Sequence, residues 1–184
     1  MKKILFVNAC VRDCSRTMVF AKDYLKNADG TVYEVNLGKE NLQPLNKELL
    51  ATRDRLLSEK KMDDAMFLNA KAFAEADEIV IAAPFWDLGF PALLKIYLEN
   101  IMVAGITFTY DNGIPKGLCK AKKMTYITTS GGPIFEDFGY SYIKSLAKNF
   151  FGIQNVSCRC AQNLDVRMIA AEEVLEKGNV EEVE

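Results

Sequence analysis

Three short segments carry the residues whose types and spacing can do chemistry. The first reads Asn8-Ala-Cys-Val-Arg-Asp-Cys-Ser-Arg-Thr17 and joins an apolar run to a helical pattern. Ser15 is of a type that caps helices. The unpaired N–H groups of a first helical turn, together with the helix dipole, favour a bound phosphate. Ser15 and Thr17 add hydroxyl donors, and Arg12 and Arg16 add positive charge. The competing reading is ordinary capping beside solvated arginines. The second segment, Pro84-Phe-Trp-Asp-Leu-Gly-Phe-Pro91, sets three aromatics between two prolines, one of them the only Trp of the chain. A stiff aromatic ledge suits a flat ring, although such rings also serve as plain cover for a sheet end. The third is Thr128-Thr-Ser-Gly-Gly-Pro133. Its two glycines allow close backbone approach, with N–H groups free to donate to a carbonyl-rich ring edge. A tight turn after a strand accounts for it equally.

What is missing narrows the chemistry. The chain has no histidine, which removes Ser-His-Asp and Cys-His catalysis and every imidazole metal site. No side chain stands out as an obligatory acid or base, and no metal site is expected. An enzyme of this kind often takes its reactive group from a cofactor. Neither a GxGxxG fingerprint nor a Walker lysine is present. A net charge of -2, with both signs mixed along the chain, argues against a nucleic-acid surface and a polybasic membrane patch. No leader pattern precedes Ile4-Leu-Phe-Val7, and no run approaches the roughly 20 apolar residues of a membrane span. The five cysteines (10, 14, 119, 158 and 160) therefore read as reduced thiols of a cytoplasmic protein. Cys158 and Cys160 share one face of a strand, as a packed pair or a metal or redox pair. Cys10 and Cys14 flank the first segment, where a redox switch is the weaker idea.

These segments need a frame. Ile4 to Val7 reads as a buried strand, and Met18, Phe20, Ala21, Tyr24 and Leu25 fall at helical spacing until Asp29-Gly30. Further strands are expected at Thr31–Leu37, Ile79–Ala83, Lys123–Thr129 and Gln154–Cys160. Helices are expected twice within 44–76, broken near Ser58 to Met62, then at Pro91–Met102, Tyr140–Phe151 and Arg167–Lys177. Phe108 to Lys116 is an excursion around the turn Asp111-Asn-Gly113, and about 178–184 is a frayed acidic tail. At 184 residues, one domain is the natural reading. The strand–helix alternation predicts an α/β three-layer sandwich, with helices on both faces of a five-stranded parallel sheet of order 2-1-3-4-5. In that order the loops after strands 1, 3 and 4 lie side by side at the switch point. A phosphate nest, an aromatic ledge and a donor-rich turn together describe a mononucleotide with a large planar head. FMN fits that description.

The chain also resembles a known family, the FMN-dependent NADH azoreductases, which are close to the NAD(P)H:quinone oxidoreductases of flavodoxin-like fold. The likeness is carried by Ala83-Pro-Phe-Trp-Asp-Leu88, Leu93-Leu-Lys-Ile-Tyr97, Ala104-Gly-Ile-Thr-Phe-Thr-Tyr110, Gly113 to Leu118, and Lys122 through Ile127-Thr-Thr-Ser-Gly-Gly132. It spans roughly residues 1–153. The resemblance implies a homodimer with FMN near the subunit interface. It places Cys10, Ser15, Arg16 and Thr17 at the phosphate. Pro84, Phe85, Trp86, Asp87 and Leu88 run along the ring, and Thr129, Ser130, Gly131 and Gly132 stand beside it. The family usually has Asn at position 87, and an ionised Asp87 near the ring would disfavour its anionic reduced form. The expected activity is ping-pong transfer of a hydride from NADH or NADPH through flavin N5 to a quinone, azo or nitroaromatic acceptor. The rival readings are a one-electron carrier and a flavin-free regulatory dimer of the same fold.

Overall fold

Three apolar runs form the centre of the sheet: β1 (Lys3–Asn8), β3 (Glu78–Ala82) and β6 (Lys123–Thr129). All three are buried along nearly their whole length, as expected of parallel strands covered on both faces. The structure, a computed structural model, describes residues 1–177 and 180–183. β2 (Thr31–Asn36) and β7 (Asn155–Ala161) flank the central strands, and β8 (Val180–Val183) follows β7. The sheet order is β2-β1-β3-β6-β7-β8, and the first five strands are parallel. This is the anticipated flavodoxin-like 2-1-3-4-5 order. The difference is at the end of the chain: Val180–Val183 pair antiparallel with β7 instead of fraying. Residues 178, 179 and 184 of the expected tail lie outside the described residues.

Along β1 the side chains sort by parity. Ile4 and Phe6 join Phe20 and Ala21 of α1 (Arg16–Lys26), with Val174 of α6 (Val174–Lys177), on one face. Leu5 and Val7 join the other face, against Leu56 of α2 (Lys47–Ser58), Phe73 of α3 (Leu68–Glu75), Tyr97 of α4 (Ala92–Ile101) and Ile143 of α5 (Phe138–Leu146). The period-2 alternation of a strand thus feeds two separate cores. The excursion at Phe108 is a hairpin of β4 (Phe108–Asp111) and β5 (Ile114–Gly117). Its turn residues Asn112 and Gly113 both have positive φ, 50° and 81°, the type I′ geometry for which Asn-Gly is the favoured pair. The expected last helix is instead a turn, a 3-10 segment at Ala171–Glu173 and the single turn of α6.

At the end of the sheet away from the switch point, Glu78 is buried at the start of β3. Its carboxylate accepts from Lys2 Nζ at 2.5 Å and Tyr24 Oη at 3.3 Å, with Lys123 Nζ at 3.6 Å. Burial pushes the Glu78 pKa up. The Lys2 hydrogen bond and the Lys123 charge oppose that, and the net effect holds it below the usual glutamate value. A carboxylate whose pKa falls on folding stabilises the fold above its unfolded pKa and loses that contribution as pH drops through the folded one. The Glu78→Gln variant is therefore expected to be less stable than the parent at pH 7. The difference should shrink as pH falls through the carboxylate range. Urea melts of both proteins between pH 7 and pH 3 check this, and a constant difference would contradict it.

Candidate functional site at the switch point

β1, β3 and β6 end side by side, with Asn8 opposite Ala82 and Ala82 opposite Ile127. The ladder continues beyond the strands. Ala9 N donates to Ala82 O at 2.9 Å, Ala83 N to Ile127 O at 3.0 Å, and Phe85 N to Thr129 O at 3.0 Å. The three chemical segments therefore leave the sheet already tied to one another. They enclose a cleft of about 260 Å³ lined by Val11, Arg12, Cys14, Ser15, Arg16, Pro84, Phe85, Trp86, Thr129, Gly131 and Asp165.

The first segment is held by Asn8, whose Oδ1 accepts from Cys10 N at 2.9 Å while its Nδ2 donates to Glu34 at 2.8 Å. Ser15 caps α1, its Oγ accepting from Met18 N at 3.2 Å, and Val19 N makes the first helical bond to Ser15 O. The N–H groups of Arg16 and Thr17, at the first two helical positions, have no carbonyl one turn earlier to meet. The Thr17 side chain is buried and shares a 2.6 Å hydrogen bond with Thr129 Oγ1, locking α1 to the end of β6. Cys10 lies beneath the segment. Burial pushes its thiol up to about 11, against a hydrogen bond from Ser15. Such a thiol is a packing group rather than a reactive one. Burial likewise raises Cys119 to about 12 and Cys158 further.

The second segment turns back on itself. Trp86 and Gly89 exchange both backbone hydrogen bonds, at 3.2 and 2.8 Å. Asp87 and Leu88 between them have φ of 50° and 65°. This is a two-residue type I′ turn carrying a leucine where glycine is the easy choice. It aims Pro84, Phe85 and Trp86 at the cleft and turns Asp87 and Leu88 away from its lining. Asp87 faces an adjoining cleft with Trp86, Phe90, Lys95, Phe138 and Tyr142. Arg12 lies over the Trp86 ring, 5.8 Å from its centroid.

In the third segment, Thr129 and Gly131 line the cleft, while Ser130 is buried and Gly132 is not among the lining residues. Ser130 Oγ donates to Gly132 O at 2.5 Å, and Ser130 N to Ala161 O at 3.0 Å. Asp165 belongs to none of the three segments. It arrives on the loop after β7, where Asp165 N donates to Gly131 O at 2.9 Å. Sheet order is the signal that could have found it, because β7 neighbours β6 and its loop must flank the glycine turn. Among the described residues, no group of three or more His, Cys, Asp or Glu side chains is placed to hold a metal, and no helix is long and apolar enough to cross a membrane.

The start of α1 brings Ser15 and the Arg16–Asp165 ion pair to the cleft, the second segment brings Pro84, Phe85 and Trp86 with Arg12 over the Trp86 ring, and the third brings Thr129 and Gly131. The N–H groups of a first helical turn suit a phosphate, and the Phe85–Trp86 wall suits a planar ring. The residues present fit FMN.

A central parallel sheet of this order, with its cleft at the switch point, defines a flavodoxin-like protein. The family model described as flavodoxin-like fold matches residues 2–181, and the chain belongs to that family. A Clostridium perfringens protein named FMN-dependent NADH:quinone oxidoreductase is 34% identical, covering 97% of this chain and 94% of its own length. A protein of the same name from Coprothermobacter proteolyticus is 36% identical, covering 90% and 89%. Among solved structures, an azoreductase from Bacillus anthracis superposes with a TM-score of 0.79 at 27% identity, covering 95% of this chain and 93% of the other. The FMN-dependent NADH-azoreductase of Bacillus anthracis in complex with FMN gives 0.74 at 27% identity, with the same coverage.

Proposed function

We propose that this chain is an FMN-dependent NADH:quinone oxidoreductase of the azoreductase type. The observation that carries the reading is the convergence of the three segments on one cleft whose two ends suit the two ends of FMN. Relatives matched over nearly the whole chain carry that name. In this reading the N–H groups of Arg16 and Thr17 and the Ser15 hydroxyl hold the phosphate, with Arg12 supplying charge. Cys10 supports the loop from below. Pro84, Phe85 and Trp86 wall the ring, and the turn at Asp87 and Leu88 fixes their direction. The Gly131 N–H faces the ring edge, with Thr129, Ser130 and Gly132 shaping the turn.

FMN held by these residues would supply the redox chemistry, hydride transfer between NADH and an acceptor. The protein binds, orients and excludes water, and no side chain of the cleft is required as an acid or base. The kinetic scheme is ping-pong, because donor and acceptor use the same open face in turn. Flat acceptors fit best: quinones, azo compounds and nitroaromatics. The unit is a homodimer with the cleft near its interface. The exposed Leu88, Phe138 and Tyr142 beside the aromatic wall support that reading.

Anaerobic mixing of the FMN-loaded protein with NADH alone tests the proposal. Full bleaching of the visible flavin absorbance before any acceptor is added, followed by recovery on adding a quinone, is expected. Flavin that stays oxidised in excess NADH would overturn it.

A further inference from the structure

The cleft lining contains a single carboxylate, and it is not the one that the sequence draws attention to. Asp87 sits in the type I′ turn, outside the lining, whereas Asp165 is part of it. Asp165 Oδ1 accepts from Arg16 Nη2 at 2.6 Å, and Arg16 is itself fixed by donating through Nη1 to Ile169 O at 3.1 Å. A Cβ added at Gly131 would stand 1.9 Å from Asp165 Oδ2 and 2.8 Å from its Cγ. The missing side chain at 131 is what lets the carboxylate lie against the turn. The Asp165 side chain is 71% exposed, so it stands at the open cleft and not in the core, while that of Arg16 is 23% exposed. Arg16 is thus occupied from within the chain, and Asp165 is a negative charge held in place beside Gly131.

Resting on the FMN reading above, we propose that Asp165 is a redox-tuning residue, whose charge beside Gly131 holds the reduction potential of bound FMN below what the three segments alone would set. The balance is simple. Hydride uptake adds two electrons and one proton to the ring as NADH becomes NAD⁺, so the reduced ring gains one negative charge. A neighbouring carboxylate raises the energy of that new charge, the more so once the ligand has displaced water from the cleft. Arg16 offsets part of the effect without removing it, since its guanidinium is shared with a backbone carbonyl.

Two variants separate this from a merely structural fastening of the loop. Asp165→Asn keeps the size and an oxygen acceptor for Arg16, and Asp165→Ala keeps neither. The measurements are the midpoint potential of bound FMN, by anaerobic titration against a reference dye, and the dissociation constants of oxidised and reduced FMN. Both variants are expected to lower the ratio of the reduced to the oxidised dissociation constant by about tenfold, an upward shift of about 30 mV for a two-electron couple. In both, the difference from the parent should shrink at 1 M salt. A structural fastening predicts instead that Asn behaves like the parent while Ala loses thermal stability and loop protection. That pattern, or an unchanged or lowered potential in a folded Asp165→Asn protein, overturns the inference while leaving the FMN reading intact. A parent protein that binds no FMN overturns both, and shows it before either variant is made.

Discussion

Ser15→Asp is expected to fold like the parent protein and to bind FMN at least about 100-fold more weakly. Ser15 has two separable tasks. Ser15 Oγ caps α1 by accepting from Met18 N, and Asp is as good a cap as Ser. An aspartate also complements the positive end of the helix dipole. Helix stability should therefore be kept. Ser15 and Arg16 line the cleft where α1 begins, and the first N–H groups of a helix have no carbonyl one turn earlier to meet. A carboxylate there meets the ligand phosphate at close range. Two like charges about 4 Å apart repel by about 4 kcal/mol at the effective dielectric of a protein surface. Arg12 and the positive end of the α1 dipole offset part of that, which leaves about two orders of magnitude in affinity. Fluorescence titration with FMN and a thermal melt check both halves. An unchanged dissociation constant would mean that the phosphate does not sit at α1.

Gly117→Ala is expected to cost about 3 kcal/mol or more of stability, although the residue touches no part of the cleft. Gly117 ends β5 and lies directly on the backbone where the π-helical segment Ala147–Phe151 gives way to Gly152. An added Cβ would stand 2.2 Å from Gly152 N, 2.2 Å from Phe151 C and 2.4 Å from Phe151 O. These are backbone atoms and cannot swing aside. Either the hairpin lifts away or the segment shifts. The segment is anchored by Phe151 against Phe73, with ring centroids 4.7 Å apart, and by Phe150 against Phe108 at 5.5 Å. For a chain of this size the loss corresponds to a drop in Tm of about 6–12 °C. Gly132→Ala is the matched control, since a Cβ there meets nothing within 4 Å, and it should melt close to the parent. Equal melting of Gly117→Ala and parent would mean that β5 does not pack directly on the Phe151–Gly152 backbone.

How much of this was legible in the sequence follows from which interactions are local. Lys123–Thr129 is read to the residue because a doubly buried strand announces itself as an apolar run. Ser15 is read as a cap because capping depends on four consecutive residues. Asn112-Gly113 marks its turn for the same reason. The region after β7 was less readable. Leu164, Ile169 and Val174 are buried there at intervals of five, which no helix face supplies, and Met168 takes a φ of 49°. Backbone contacts to Ser130 and Gly131 impose that course, and they join residues more than thirty positions apart. β8 escaped for a related reason: Val-Glu-Glu-Val carries no alternation, and its partner strand supplies the order. Asp165 enters the cleft only through this region. The composition of the three segments therefore described both ends of the site while giving no sign of its one negative charge. The turn at Asp87 and Leu88 was equally hidden, since a leucine at positive φ has no sequence signature.

In the proposed function the cleft takes a flavin by its phosphate as well as by its ring. Parallel titrations of the purified protein with FMN and with riboflavin, which differ only in that phosphate, test it most directly. Tight binding of FMN is expected, with riboflavin bound at least about 100-fold more weakly and the gap narrowing as salt is raised. Equal affinities for the two would show that the α1 end of the cleft holds no phosphate, and the FMN reading would fall with it.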